Sequence, residues 1–281
     1  MFKNTLKTTV LLAALGALIM GIGSFWGTGG LTIGLVLALV FIGGSYWFSD
    51  KLAIAASGAK PVTEQEAPQL YATVRDLTQR ADMPMPRLYV SPSAQPNAFA
   101  TGRNPSNAAV AVTQGLLQAL DQDEVRGVLA HEISHVRHRD ILISSVAAAV
   151  AMAVMFVARM AMFGALFGGG RDRDSGNAIG ALLMIVLAPV AAGLIQMAIS
   201  RAREYEADRG GAELLGGNGE PLARALEKIE MYAKRVPMDI NPAQAQAYII
   251  NPLTGRKAQF ANLFTTHPPT EERIRRLRGT S

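Results

Sequence analysis

The sequence predicts a mainly α membrane protein: four transmembrane helices that carry a cytoplasmic α+β domain with a small sheet. Three observations lead there. Of 281 residues, 49% are hydrophobic and 17% charged, against about 25% charged in an ordinary soluble domain. Four apolar stretches reach or approach the roughly 20 residues a helix needs to cross a bilayer. Two polar regions, Asp50 to Asp140 and Ser200 to Ser281, mix short strand patterns with amphipathic helices. The chain therefore divides into 1–49, a transmembrane hairpin; 50–140, the first part of the cytoplasmic domain; 141–199, a second hairpin; and 200–281, the second part of that domain.

The first span runs from about Thr8 to Trp26 and follows Lys3 and Lys7. A basic start before an apolar run also suits a signal peptide. This run is too long for one, lacks a clear small-residue cleavage site and is followed by a second span after a short Gly-rich turn. The two spans read as an uncleaved hairpin, the second covering Leu31 to Phe48. Thr63 to Ala81 carries Leu70, Val74 and Leu77 at helical spacing, and Pro84 and Pro86 stop it. Arg87–Val90, Asn97–Gly102 and Ala109–Thr113 read as three strands. Asp121 followed by Glu124 has the form of a capping box and opens the next helix. The third span, Ile141 to Phe167, contains Arg159. That residue lies about 27 Å along a helix rising 1.5 Å per residue, close to the far interface, where its side chain can snorkel. The fourth span, Ala178 to Ile199, leads into a polar helix from Arg201 to Leu215. Pro221 to Arg235 and Pro269 to Arg278 read as the last helices.

Basic residues give the orientation. Lys3, Lys7, Lys51, Lys60, Arg137, Arg139, Arg201 and Arg203 all flank one side of a four-span chain. The first opposite turn has no charge, and in the second Arg171 and Arg173 are offset by Asp172 and Asp174. The positive-inside rule then places both termini and the polar domain in the cytoplasm. The net charge of +5 is explained by these flanks, and no basic–aromatic stripe supports a nucleic-acid partner. The chain has no cysteine, which excludes disulfides, thiolate metal sites and cysteine nucleophiles. Any metal must be held by nitrogen and oxygen.

Such ligands stand in His131-Glu132-Ile133-Ser134-His135. Residues four apart share a helical face, so both imidazoles can reach one ion. Glu132 is placed to take a proton from a water beside that ion. The pattern is the zinc-peptidase signature H-E-x-x-H. A catalytic zinc needs a third protein ligand. His138 is three residues further on, but one helix rarely wraps three ligands around a tetrahedral ion, so an interfacial polar residue is the better reading. Glu204 and Asp208 are four apart in Arg203-Glu204-Tyr205-Glu206-Ala207-Asp208. Glu204 as a ligand, with Asp208 accepting a hydrogen bond from an imidazole, is one reading. A solvated charged helix is the other, and spacing leaves both open.

HEISH, then Arg-Glu-Tyr-Glu-Ala-Asp after two more spans, then Thr266-His267-Pro268-Pro269 with Arg273-Ile274, resembles the HtpX-type membrane endopeptidases. These are gluzincin-like metallopeptidases related to the CAAX-prenyl-type endopeptidases. The resemblance covers nearly the whole chain. It extends to Asn97-Ala98-Phe99-Ala100-Thr101-Gly102 before the catalytic helix and departs mainly at the basic Arg137-His138-Arg139. It implies one zinc ion per chain on His131, His135 and Glu204, Glu132 as the base, and Asp208 orienting a ligand. It also implies that His267 and Arg273 stabilise the oxyanion, a role that needs donors facing the charged oxygen. A helix cap for His267 and a surface position for Arg273 are the plain alternatives. Asn97, Ala98, Phe99 and Ala100 offer an edge on which an extended peptide can pair, or form an ordinary strand.

The function expected from these features is a membrane-integrated zinc endopeptidase. It would act at the cytoplasmic face of a bacterial inner membrane on misfolded or damaged membrane proteins, as part of quality control and stress response. Its partners would be polypeptide substrates and the lipid bilayer. A non-catalytic zinc-containing scaffold or holdase is the alternative, and it has no need of Glu132. A small transporter is disfavoured because no ionisable residue lies in mid-span apart from Arg159.

Overall fold

The computed structural model describes residues 27–146, 201–235 and 268–279, with scattered helical positions between 9 and 24. Much of the expected first span, the whole of the fourth, nearly all of the third, and His267 lie outside the described residues. Chain entry is at Gly27, with φ of 72°, where the Gly-rich turn was expected. Helix α1 (Gly27–Ala56) follows and is 30 residues long, overrunning the expected span into Lys51 and beyond. Among the described residues no helix is long and apolar enough to cross a membrane. Ile33, Val36, Leu39 and Val40 of α1 are nevertheless more than half exposed.

A four-stranded sheet follows, in the order β1-β2-β4-β3. Its members are β1 (Lys60–Pro61), β2 (Arg87–Ser91), β3 (Ala98–Gly102) and β4 (Ala108–Thr113). β2 and β4 are parallel, and the other two pairings are antiparallel. The three expected strands are present. β1 was not expected, because two residues carry no readable period. Helix α2 (Pro68–Arg80) starts five residues later than the spacing suggested. Thr63 N–H and Oγ1 donate to Glu66 Oε2, which closes a turn of its own, and Pro68 restricts Ala67 and takes the first helical turn, where it needs no N–H partner. A short helix α3 (Gln114–Ala119), capped by Thr113, was also not foreseen.

Helix α4 (Gln122–Arg137) carries HEISH and forms the centre of the domain. Its capping box is complete: Glu124 N–H donates to Asp121 Oδ1, and Asp121 N–H donates to Glu124 Oε2, each at 2.9 Å. Val128, Leu129, Ala130 and Ile133 are fully buried. They pack with Leu70, Val74 and Leu77 of α2, with Val110 and Val112 of β4, and with Leu222, Leu226 and Ile229 of α6 (Glu220–Arg235). On its other side α4 packs on α5 (Arg201–Leu214), and α7 (Thr270–Leu277) lies against α5 and α6.

Two glycines permit these close crossings. A Cβ on Gly127 would stand 2.5 Å from the backbone nitrogen of Leu222 in α6, and one on Gly211 would stand 3.0 Å from His131 N. The second approach brings α5, with its carboxylates, against the metal-motif helix. Gly127→Ala forces the backbones apart and is expected to cost about 1–3 kcal/mol, the usual range for overpacking. Denaturant unfolding of the full chain would show it as a lowered midpoint.

Candidate metal centre

Helical spacing stacks His131 and His135 on one face of α4, with ring centroids 4.7 Å apart and planes at 89°. Their Nε2 atoms face each other at 3.2 Å. Glu204, from the first turn of α5, completes the group: Oε2 is 3.8 Å from His131 Nε2, and Oε1 is 3.5 Å from His135 Nε2. Among the described residues these three form the cluster that could hold a metal ion. Two ligands at about 2.05 Å from one tetrahedral zinc stand roughly 3.3 Å apart, close to the imidazole spacing here. His138 is not in the group. It caps α4, and its Nδ1 lies 3.3 Å from Ser134 Oγ.

Each imidazole turns its other nitrogen to a buried carboxylate. His131 Nδ1 is 2.9 Å from Asp208 Oδ1. The approach is short but off the N–H axis, so a small ring rotation is needed to align it. His135 Nδ1 is 3.4 Å from Asp140 Oδ2. Protons held at both Nδ1 atoms leave both Nε2 lone pairs facing inward, which is the tautomer a metal requires. Behind Asp208 stands Arg273 of α7, 1% exposed. Its Nε and Nη2 donate to the two carboxylate oxygens at 2.9 and 2.7 Å. Burial works against the Asp208 anion, yet Arg273 and His131 hold its pKa well below the ordinary carboxylate range. Burial likewise opposes the Arg273 charge, and Asp208 raises its pKa.

The charges point to a cation. Glu132, Asp140, Glu204 and Asp208 are buried together, with Arg273 and Arg203 as the nearby positive groups. Four carboxylates against two guanidiniums leave two negative charges, which one divalent ion neutralises. His135 responds to the same field. Burial lowers its pKa, but Asp140, Glu204 and Glu132 raise it from 6.5 to about 9. A proton thus occupies the site when the ion does not. A group with a raised folded pKa stabilises fully below its unfolded value and loses that contribution as pH rises through the folded one. The metal-free protein should therefore lose stability between pH 6.5 and 9. The loss is at most about 3 kcal/mol, because the ring keeps 17% of its surface exposed. Unfolding metal-free protein in denaturant at both pH values measures it, and a bound ion should abolish it.

Glu132 sits where the helix meets the sheet, and its Oε2 accepts the Ala100 N–H at 2.8 Å. β3 is the edge of the sheet among the described residues. Thr113 N–H donates to Asn97 O, so alternation along the antiparallel pair turns the backbone groups of Ala98 and Ala100 to the open edge. Of the residues singled out from sequence, the structure brings together His131, Glu132, His135, Glu204, Asp208, Arg273 and Ala100. Two neighbours were missed. In the sequence Asp140 reads as the end of a polar region, and Arg203 as a basic flank and the first residue of the Arg-Glu-Tyr-Glu-Ala-Asp motif, with no role at the site. Their contacts form through a turn and between helices, where no spacing rule reaches.

An H-E-x-x-H helix, a facing glutamate and an adjoining edge strand define a metalloprotease. The comparisons with known proteins agree. Residues 64–281 match the model of peptidase family M48. A protease HtpX homolog of Syntrophobacter fumaroxidans is 58% identical over 279 residues, covering 97% of this chain and 98% of the relative. Another, of Syntrophotalea carbinolica, is 52% identical over 278 residues, covering 98% of each. A crystal structure of S. mikatae Ste24p shares the fold with a TM-score of 0.50 at 19% identity, covering 98% of this chain and 66% of that one. The chain belongs to peptidase family M48.

Proposed function

We propose that this metalloprotease is a zinc endopeptidase at the cytoplasmic face of a bacterial inner membrane, cutting misfolded or damaged membrane proteins. The observation that carries the reading is the pair of facing Nε2 atoms closed by Glu204, with Glu132 beside them on the sheet edge. His131, His135 and Glu204 would hold the zinc. When bound, it supplies Lewis acidity to a scissile carbonyl and acidifies a water. Glu132 receives the proton on Oε1, the oxygen not bonded to Ala100, and passes it to the departing amine. Asp208 fixes the His131 ring, and Arg273 fixes Asp208. The described contacts of Arg273 thus support a positioning part rather than the oxyanion part expected from the resemblance, which then falls to His267. An extended peptide would pair with the open groups of Ala98 and the carbonyl of Ala100, whose N–H Glu132 already takes, and bring its own carbonyl over Glu132.

Membrane attachment has its own support. The exposed apolar side chains of α1 lead to Tyr46 and Trp47, packed edge to face. Lys51 lies over Phe48, and Arg103 lies over Trp47 at 4.3 Å. Aromatic and basic groups of this kind favour the lipid–water interface. Arg103 directly follows β3, so such an interface would set the sheet edge close to emerging substrate. A scaffold with structural zinc calls for four closed ligands, whereas three gather among the described residues. Purified full-length protein with zinc should degrade an unfolded membrane polypeptide, stop on chelation and recover on zinc return. Cleavage indifferent to chelator would refute the proposal.

A further inference from the structure

We propose that Asp140 and Arg203 are positioning residues that hold His135 in its metal-ready orientation. This rests on the reading of His131, His135 and Glu204 as ligands. Asp140 Oδ2 faces His135 Nδ1 at 3.4 Å, while Oδ1 faces Arg203 Nη1 at 3.7 Å. The carboxylate therefore bridges an imidazole and a guanidinium.

The backbone is bent to put it there. After α4 ends, Arg139 takes φ of 60°, the left-handed region that a side chain enters at a cost of roughly 1–2 kcal/mol. The turn returns Asp140 over the helix end, and its N–H donates to His135 O at 3.0 Å. Arg203 carries a second cost. Its side chain is 11% exposed, and among the described residues none of its three nitrogens meets a partner in hydrogen-bond geometry. Burying a guanidinium without hydrogen bonds is unfavourable, so a structural hydrogen-bonding role does not account for it. What the position offers is a positive charge behind Asp140, one residue before Glu204.

The other ring has the same layout. His131 is backed by Asp208, and Asp208 by Arg273. Arg203 of one support and Asp208 of the other share α5, while Asp140 and Arg273 come from elsewhere; each ring meets a carboxylate and each carboxylate a guanidinium. Outer partners of this kind fix the tautomer and raise the basicity of a liganding imidazole. Asp140 immediately precedes 141–199 and Arg203 closely follows it, so the pair ties both ends of that segment to one ligand.

Asp140→Asn keeps the size of the side chain and one acceptor oxygen but removes its charge, so it tests the charged bridge between His135 and Arg203. Zinc affinity would be measured by chelator competition on detergent-solubilised full-length protein, alongside unfolding of the metal-free form. The expected result is binding about 10–100-fold weaker, with the metal-free protein still unfolding in one cooperative transition and the absorption spectrum of the cobalt-loaded protein altered. Zinc affinity within twofold of wild type overturns the proposal. Should Asp140→Asn fail to fold, Arg203→Met and Arg203→Lys decide: Met should weaken zinc binding and Lys restore most of it, and two wild-type affinities overturn the inference. Wild-type protein that binds no zinc would sink the site reading itself, a different failure.

Discussion

Glu132→Gln should abolish proteolysis, by about 100- to 10,000-fold, the usual share of a general acid–base group, while zinc content stays at the wild-type level. The substitution is nearly isosteric. A glutamine carbonyl can still accept the Ala100 N–H that Oε2 now receives at 2.8 Å, so the sheet–helix junction should survive. An amide cannot take up a proton at neutral pH, and that is the step removed. Glu132 is not one of the three clustered ligand residues, so metal should remain. Turnover of an unfolded membrane polypeptide, with zinc measured on the same sample, checks both halves. A variant that cleaves at the wild-type rate would remove Glu132 from the mechanism.

Glu204→Ala should strip the metal. The loss in zinc affinity should exceed the 10–100-fold carried by outer partners, because a direct ligand from a second helix is gone. Activity should fall with occupancy. The metal-free protein should behave differently. Glu204 is one of four buried carboxylates there, and it is among the causes that raise His135. Above pH 9, where His135 is neutral, removing it relieves like-charge repulsion, so the metal-free form should there be no less stable than wild type, while added zinc should no longer raise the midpoint. Equal stabilisation of variant and wild type by zinc would mean that the third ligand lies elsewhere.

Much of this was legible because it rests on short-range rules. The capping box of Asp121 and Glu124, the i, i+4 imidazoles and the short strand run of β4 are local, and each formed where the sequence placed it. Glu204 and Asp208 shared a helical face, but spacing could not distinguish a solvated face from a buried one. The glycine pair Gly210-Gly211 settles it physically, since it lets α5 close on His131. The placement of Arg273 was not legible. Its partner is 65 residues away in sequence, and nothing local marks an arginine that will be buried. Asp140 was hidden for a related reason: a left-handed turn at Arg139, a residue with no special propensity for one, carries it back to the helix it had left.

Two imidazoles of one helix and a carboxylate of another are placed to grip a single zinc ion. X-ray absorption on the zinc-loaded full-length protein tests this most directly, because multiple scattering counts imidazoles. The expected result is two imidazole nitrogens at about 2.0–2.1 Å with oxygen filling the remaining positions. A third imidazole, from His138 or His267, would contradict it.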